Sequence, residues 1–201
     1  IGYGWDRNTS QWFENNKEEY TYDAKGNQIL YIEYLYSYIE YSYSSAWKHE
    51  STYDENGNKT LEVLCYRSIN TNQQWANRNK IEYTYDANSN LTAFIPYEWL
   101  NNLWVGRNDN KFEYTYDDKG NKTSESIFIW DETNNQWKII PKSKSEFTYD
   151  INGNLVLSIP YTWDETYSQW VCYSNFAQCL GSVCLYDFIG KIKRTYNSFG
   201  N

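Results

Sequence analysis

The sequence predicts an all-β fold: an antiparallel meander of repeated β-hairpins, about 31 residues per repeat, in a coiled or solenoid-like sheet. Three observations predict it. Aromatic residues are 20% of the chain and hydrophobic residues of every kind 40%, so half of the apolar inventory is Tyr, Trp and Phe. Tyr, Trp, Thr and Ile favour strands, whereas the helix formers Ala and Leu are scarce and Met is absent. A nonapeptide then recurs: "EYTYDAKGN" from Glu19, "ESTYDENGN" from Glu50, "EYTYDANSN" from Glu82, "EYTYDDKGN" from Glu113 and "EFTYDINGN" from Glu146, with a degraded "KRTYNSFGN" ending at Asn201. Its Asp falls at 23, 54, 86, 117 and 150, with Asn197 in the last copy, and so regular a period marks a repeat architecture. The third observation is an alternation of period two within every copy, which is the pattern of a strand.

The first strand of each repeat carries Lys six residues before the Asp (Lys17, Lys48, Lys80, Lys111, Lys144, Lys191), then Glu four before, replaced by Lys193 in the last copy, and Thr two before. The intervening positions carry Tyr20, Tyr83, Tyr114 and Phe147 and then a Tyr directly before the Asp, which reads as a charged outside and an aromatic inside. Lys and Glu are expected to face opposite charges diagonally on neighbouring strands, giving a solvated face that discourages edge pairing. A turn follows. Asp23, Asp54, Asp86, Asp117 and Asp150 take its first position, where the side chain accepts backbone hydrogen bonds, and Gly26, Gly57, Gly120 and Gly153 its fourth, where a left-handed residue is needed. Ser89 replaces that glycine in the third copy, so there the turn is either strained or of another type.

The second strand is apolar at alternate positions: Leu30, Ile32, Tyr34; Leu61, Val63, Cys65; Ala93, Ile95, Tyr97; Leu157, Ile159, Tyr161. It ends in a polar turn flanked by tryptophans, at Trp5 and Trp12, Trp99 and Trp104, Trp130 and Trp137, Trp163 and Trp170, with Tyr36 and Tyr43 in the equivalent places of one copy. Pro96, Pro141 and Pro160 interrupt this scheme, and since proline donates nothing to a ladder the sheet must be open or bulged at each. Residues 1–201 therefore read as a single array of about six repeats, long enough to bury a substantial core. The exception is a non-repetitive insert at 171–190, which is expected to cap the array. It holds Cys172, Cys179 and Cys184, with Cys65 far off in sequence; the four are candidates for one or two disulfides or for buried thiols.

"YTYDxxGN" at this spacing resembles the YD repeats of the RHS family, found in secreted bacterial toxins and surface proteins. The residues that carry the resemblance are Tyr22-Asp23-Gly26, Tyr53-Asp54-Gly57, Tyr116-Asp117-Gly120 and Tyr149-Asp150-Gly153, with Tyr85-Asp86 lacking the glycine. The longer period and the paired Trp depart from that pattern and are similar to long Tyr/Trp/Asn-rich repeats of secreted, cell-surface proteins of Bacteroidetes-type bacteria. The resemblance implies an extracellular repeat scaffold and no particular activity.

Function classes narrow accordingly. A net charge of −8 with no basic stripe argues against a nucleic-acid partner, and the apolar runs are too short for membrane insertion by a helix. His49 is the only histidine, no Cys-x-x-Cys occurs and no cofactor fingerprint is present, so neither metal, cofactor nor catalytic residues are expected. The Asp-x-x-Gly-Asn loops offer too few carboxylates for calcium and read as hairpin turns. The expected role is structural or adhesive. The array is cut inside a repeat at both ends, because "IGYGWD" at Ile1 aligns with "IPYTWD" at Ile159. This implies either a segment of a longer parent chain or self-association head to tail by strand complementation. The alternative is a module for surface glycans, in which the eight Trp of the turns stack on sugar rings.

Overall fold

The computed structural model describes residues 1–6, 10–37, 42–68, 74–106 and 110–172, and the strand segments 178–179, 185–186 and 192–193. The chain is all-β. Its strands are β1 (Gly2–Asp6), β2 (Gln11–Tyr22), β3 (Gln28–Ser37), β4 (Ser42–Tyr53), β5 (Lys59–Ser68), β6 (Ala76–Tyr85), β7 (Leu91–Leu100), β8 (Leu103–Val105), β9 (Lys111–Tyr116), β10 (Lys122–Phe128), β11 (Trp130–Asp131), β12 (Gln136–Trp137), β13 (Ser143–Tyr149), β14 (Leu155–Asp164), β15 (Gln169–Cys172), β16 (Gln178–Cys179), β17 (Leu185–Tyr186) and β18 (Ile192–Lys193). Fourteen of them form one antiparallel sheet in meander order, β1-β2-β3-β4-β5-β6-β7-β9-β10-β13-β14-β15, with β8 on β7 and β16 on β14. This path has two ends and does not return on itself among the described residues.

By contacts the chain divides into one unit of residues 1–84 and 95–107 and another of 85–94 and 108–201. Each contains antiparallel hairpins. The prolines sit where ladders break. Pro160 lies in β14 between the segment paired with β15, which starts at Tyr161, and the segment paired with β16, at Leu157 and Ser158. Pro96 lies in β7 between Phe94, paired with Phe112, and Glu98, paired with Val105. Pro141 separates β12 from β13.

Two expectations are corrected by the burial. No large side chain is fully buried among the described residues, and the buried hydrophobic residues are Ala46, Cys65, Ala93, Phe128 and Ile159. Among the described residues there is no substantial closed core. Nor is the Lys-Glu-Thr row the solvated face: Lys17 pairs with Tyr34, Glu19 with Ile32 and Thr21 with Leu30, so the charged row shares its face with the aliphatic positions of the second strand. Every buried hydrophobic residue lies on that face, with Cys65 opposite Lys48, Phe128 opposite Lys111 and Ile159 opposite Glu146. The cause is the bulge beside each Asp turn, at Thr21/Tyr22, Thr52/Tyr53 and Thr148/Tyr149, which adds one residue to the count and so decides which alternating set shares a face.

Lysine makes this arrangement stable. Its stem lies along apolar surface while the ammonium reaches a ring and a carboxylate. Lys17 stands 4.5 Å from the Tyr34 ring centroid, Lys80 4.4 Å from Tyr97, Lys111 4.5 Å from Phe128 and Lys144 4.8 Å from Tyr161. Each also pairs with the Glu two residues on along its own strand: Lys17–Glu19 at 2.5 Å, Lys48–Glu50 at 2.9 Å, Lys80–Glu82 at 2.5 Å, Lys111–Glu113 at 2.6 Å and Lys144–Glu146 at 2.8 Å. The repeated ion pairs thus run along strands, not diagonally between them.

Candidate functional site

Each hairpin has two chemically distinct ends. At the first, Asp23 binds its own turn with both carboxylate oxygens: Lys25 N and Asn27 N donate to Oδ1, each at 2.9 Å, and Asn27 Nδ2 donates to Oδ2 at 2.9 Å. Gly26 N donates to the Asp23 carbonyl at 3.1 Å, with Gly26 at φ +89°. Asp54 with Asn58, Asp86 with Asn90, Asp117 with Asn121 and Asp150 with Asn154 repeat the clamp at 2.8–2.9 Å. Ser89 keeps the turn: it stands at φ +64° and donates to the Asp86 carbonyl at 3.1 Å, so the strained alternative holds and the turn type is unchanged. The Asn side-chain amide first, helped by backbone N–H groups, holds each of these five carboxyls below the usual aspartate range. Acceptors so fully used are turned inward to N–H donors, which suits a hairpin turn and not a calcium loop.

The same end joins one hairpin to the next. Tyr53 Oη donates to the Gln28 carbonyl at 3.0 Å, Tyr116 Oη to Leu91 at 2.8 Å and Tyr149 Oη to Lys122 at 3.0 Å. Lys25 Nζ reaches the Glu55 carbonyl at 2.8 Å, and Lys119 Nζ the Ile151 carbonyl at 3.1 Å. A Cβ at Gly57 would lie 3.7 Å from Asn27 Oδ1, and Gly120 and Gly153 meet Asn90 and Asn121 at the same distance. Tyr53, Tyr116 and Tyr149 are therefore hooks rather than core. Tyr22, the first of the series, is 55% exposed.

At the second end the tryptophans expected from the sequence come together in pairs. Trp5 is the register partner of Trp12, Trp99 of Trp104, Trp130 of Trp137 and Trp163 of Trp170. All four pairs meet edge to face, with centroids 5.3, 4.8, 5.2 and 5.3 Å apart. The loops they close use left-handed residues other than glycine: Ser10, Asn135 and Ser168, and the two-residue Asn101-Asn102 turn. Three pairs are half-buried, and Lys80 and Lys144 lie over Trp104 at 5.5 Å and Trp170 at 5.1 Å. Trp5 and Trp12 are 48% and 68% exposed.

Cys65 is a buried free thiol 3.5 Å from Asn77 Oδ1, and burial pushes its pKa up. Cys172 is half-buried; the Cys179 side chain and Cys184 lie outside the described residues. Among the described residues no three His, Cys, Asp or Glu side chains are grouped as a metal would require. The Asn of the clamp and the inter-hairpin role of Tyr escaped the sequence reading. The signal was present, since Asn27, Asn58, Asn90, Asn121 and Asn154 all stand four residues after the Asp.

No protein-family model matches the chain, and no curated protein matches it. Among solved structures it is similar to a protein of unknown function from Bacteroides fragilis, at 15% identity and TM-score 0.49 over 67% of this chain and 92% of that one. It is also similar to a DUF3836 family protein from Bacteroides vulgatus, at 11% identity and TM-score 0.30 over 83% and 99% of the two chains. A second DUF3836 family protein, from Parabacteroides distasonis, matches at 17% identity and TM-score 0.23 over 66% and 88%.

Proposed function

We propose that this chain is a non-enzymatic, extracellular repeat protein of structural or adhesive function, a filament or surface-array unit that associates head to tail by strand complementation. The observation that carries this reading is the hook between hairpins. Tyr53, Tyr116 and Tyr149 each bind their hairpin to the preceding one through its carbonyl. On the first hairpin β1 pairs with β2 from Asp6–Gln11 to Gly2–Asn16, and among the described residues no strand is paired on that side with Glu18–Tyr22, where Tyr22 is exposed. An edge with this grammar is a template for another hairpin of the same kind.

Negative-stain microscopy of native material at rising concentration tests the reading. Polymers are expected, and Tyr22→Glu, which places a charge on the edge, should dissolve them without changing the melting temperature. Discrete particles at every concentration would sink the filament. Intact mass then separates a subunit of this length from a longer parent chain, and antibody labelling of intact source cells checks the extracellular address.

One observation favours the glycan reading at a single place. The Trp5–Trp12 pair keeps indole surface open, whereas Trp104 and Trp170 are lidded by lysine. Sugar binding therefore belongs to Trp5 and Trp12, and a glycan array that is blank for wild type, or unchanged in Trp12→Ala, removes it.

A further inference from the structure

The face of β2 and β3 opposite the Lys-Glu-Thr row differs from its counterparts. Glu18 and Glu33 are direct register partners there, a like-charge pairing that ordinarily destabilises a sheet. Beside them Tyr20 and Tyr31 stack with centroids 5.1 Å apart, and both hydroxyls donate to Glu18, at 2.9 and 3.2 Å. Trp47, the partner of Glu33 on β4, extends the aromatic floor. Tyr20 is 47% exposed, and among the described residues no cation pairs with Glu18 or Glu33.

Elsewhere the molecule fills such a combination of ring and carboxylate with a cation of its own. On the same face Lys122 pairs with Glu125 at 2.6 Å and stands 5.2 Å from the Tyr114 ring. Lys59 pairs with Glu62 at 3.0 Å, and His49, 5.6 Å from the Tyr31 ring, directs Nδ1 to that same Glu62 at 2.9 Å. Lys59 and Lys122 both stand five residues after their turn Asp. In the first copy that position is Gln28, so the internal cation is replaced by a neutral side chain while Tyr20 is kept and two carboxylates are added. Burial first, and the Glu18 hydrogen bond with it, pushes the Tyr31 hydroxyl up to about 12, so it stays a hydrogen-bond donor across physiological pH.

We propose that this face is a docking surface for a basic polypeptide, with a Lys or Arg side chain of the partner seated against Tyr20, Tyr31 and Trp47 and neutralised by Glu18 and Glu33. The partner's cation takes the place that Lys122 holds in its own hairpin. Charge complementarity selects this occupant, because the carboxylates repel anionic ligands and a neutral sugar would leave them facing each other uncompensated.

The full chain is titrated with synthetic (Arg-Ser)4 and (Lys-Ser)4 peptides, with uncharged oligosaccharides in parallel, following aromatic fluorescence and calorimetry at low and high salt. Saturable binding of the basic peptides is expected, stronger for Arg. Glu33→Gln should weaken it roughly tenfold and Glu18→Gln with Glu33→Gln should abolish it, as a charge-assisted contact requires. Gln28→Lys should also block it by supplying the internal cation, while Glu55→Gln, an exposed acid on the first turn end, leaves it unchanged. The unfolding midpoint of each variant confirms folding. No peptide binding, equal binding by the double Gln variant, unimpaired binding by Gln28→Lys, or saturation of the same signal by a neutral oligosaccharide would each overturn the proposal.

Discussion

The two ends of a hairpin hold the same pair of strands by opposite means. At the Asp end a carboxylate and an Asn amide satisfy the backbone of a tight turn, and the neighbouring hairpin is tied on by Tyr and Lys. At the Trp end an edge-to-face indole pair clamps the strands, and the loop beyond it is free to vary between two and four residues. The difference teaches where this chain tolerates change. Polar closure depends on each donor and acceptor, so its sequence repeats almost unaltered; apolar closure needs only two large rings in register.

Acid should separate the ends most strongly. A carboxyl whose folded pKa lies below its unfolded value contributes stability that is complete above the unfolded value, 3.8 for Asp, and is lost as pH falls through the folded value. Five clamps share this sign, and Asp131 shares it at the Trp end. The urea midpoint should therefore be flat from pH 7 to about pH 5 and fall steeply below. In Asp117→Asn the fall should be shallower; an identical pH profile would show that the clamps contribute nothing.

Smaller effects follow from single groups. Trp163→Ala removes one indole of a half-buried pair and should cost about 2–3 kcal/mol by chemical denaturation. Tyr116→Phe deletes the hook to Leu91 and should cost about 1 kcal/mol, with a change no larger than error indicating that water substitutes for the hydroxyl. Ser89→Gly should stabilise by about 0.5–1 kcal/mol by relieving the one non-glycine at the fourth turn position, and a loss of stability there would mean that the Ser89 side chain is needed.

Much of this was legible in one dimension. The alternation of period two located the strands, Asp at the first turn position and Gly at the fourth named the turn, and Ser89 marked the copy whose turn had to be either strained or of another type. The Trp pairs were visible as recurring flanks of a polar loop. What escaped was the side-chain partner of each Asp, because an Asn beside a turn glycine is ordinary turn composition, and the hook of Tyr53 to Gln28, because it joins residues of different hairpins.

The strands, their antiparallel order and the Asp turns with glycine in fourth place follow from the sequence alone, since these depend on local alternation and on backbone preferences within a few residues. Only the tertiary structure decided which alternating set is covered. A one-residue bulge beside the Asp23 and Asp150 turns places Lys17 across from Tyr34 and Lys144 across from Tyr161, and lysine's long apolar stem then covers the very face its charge would assign to water.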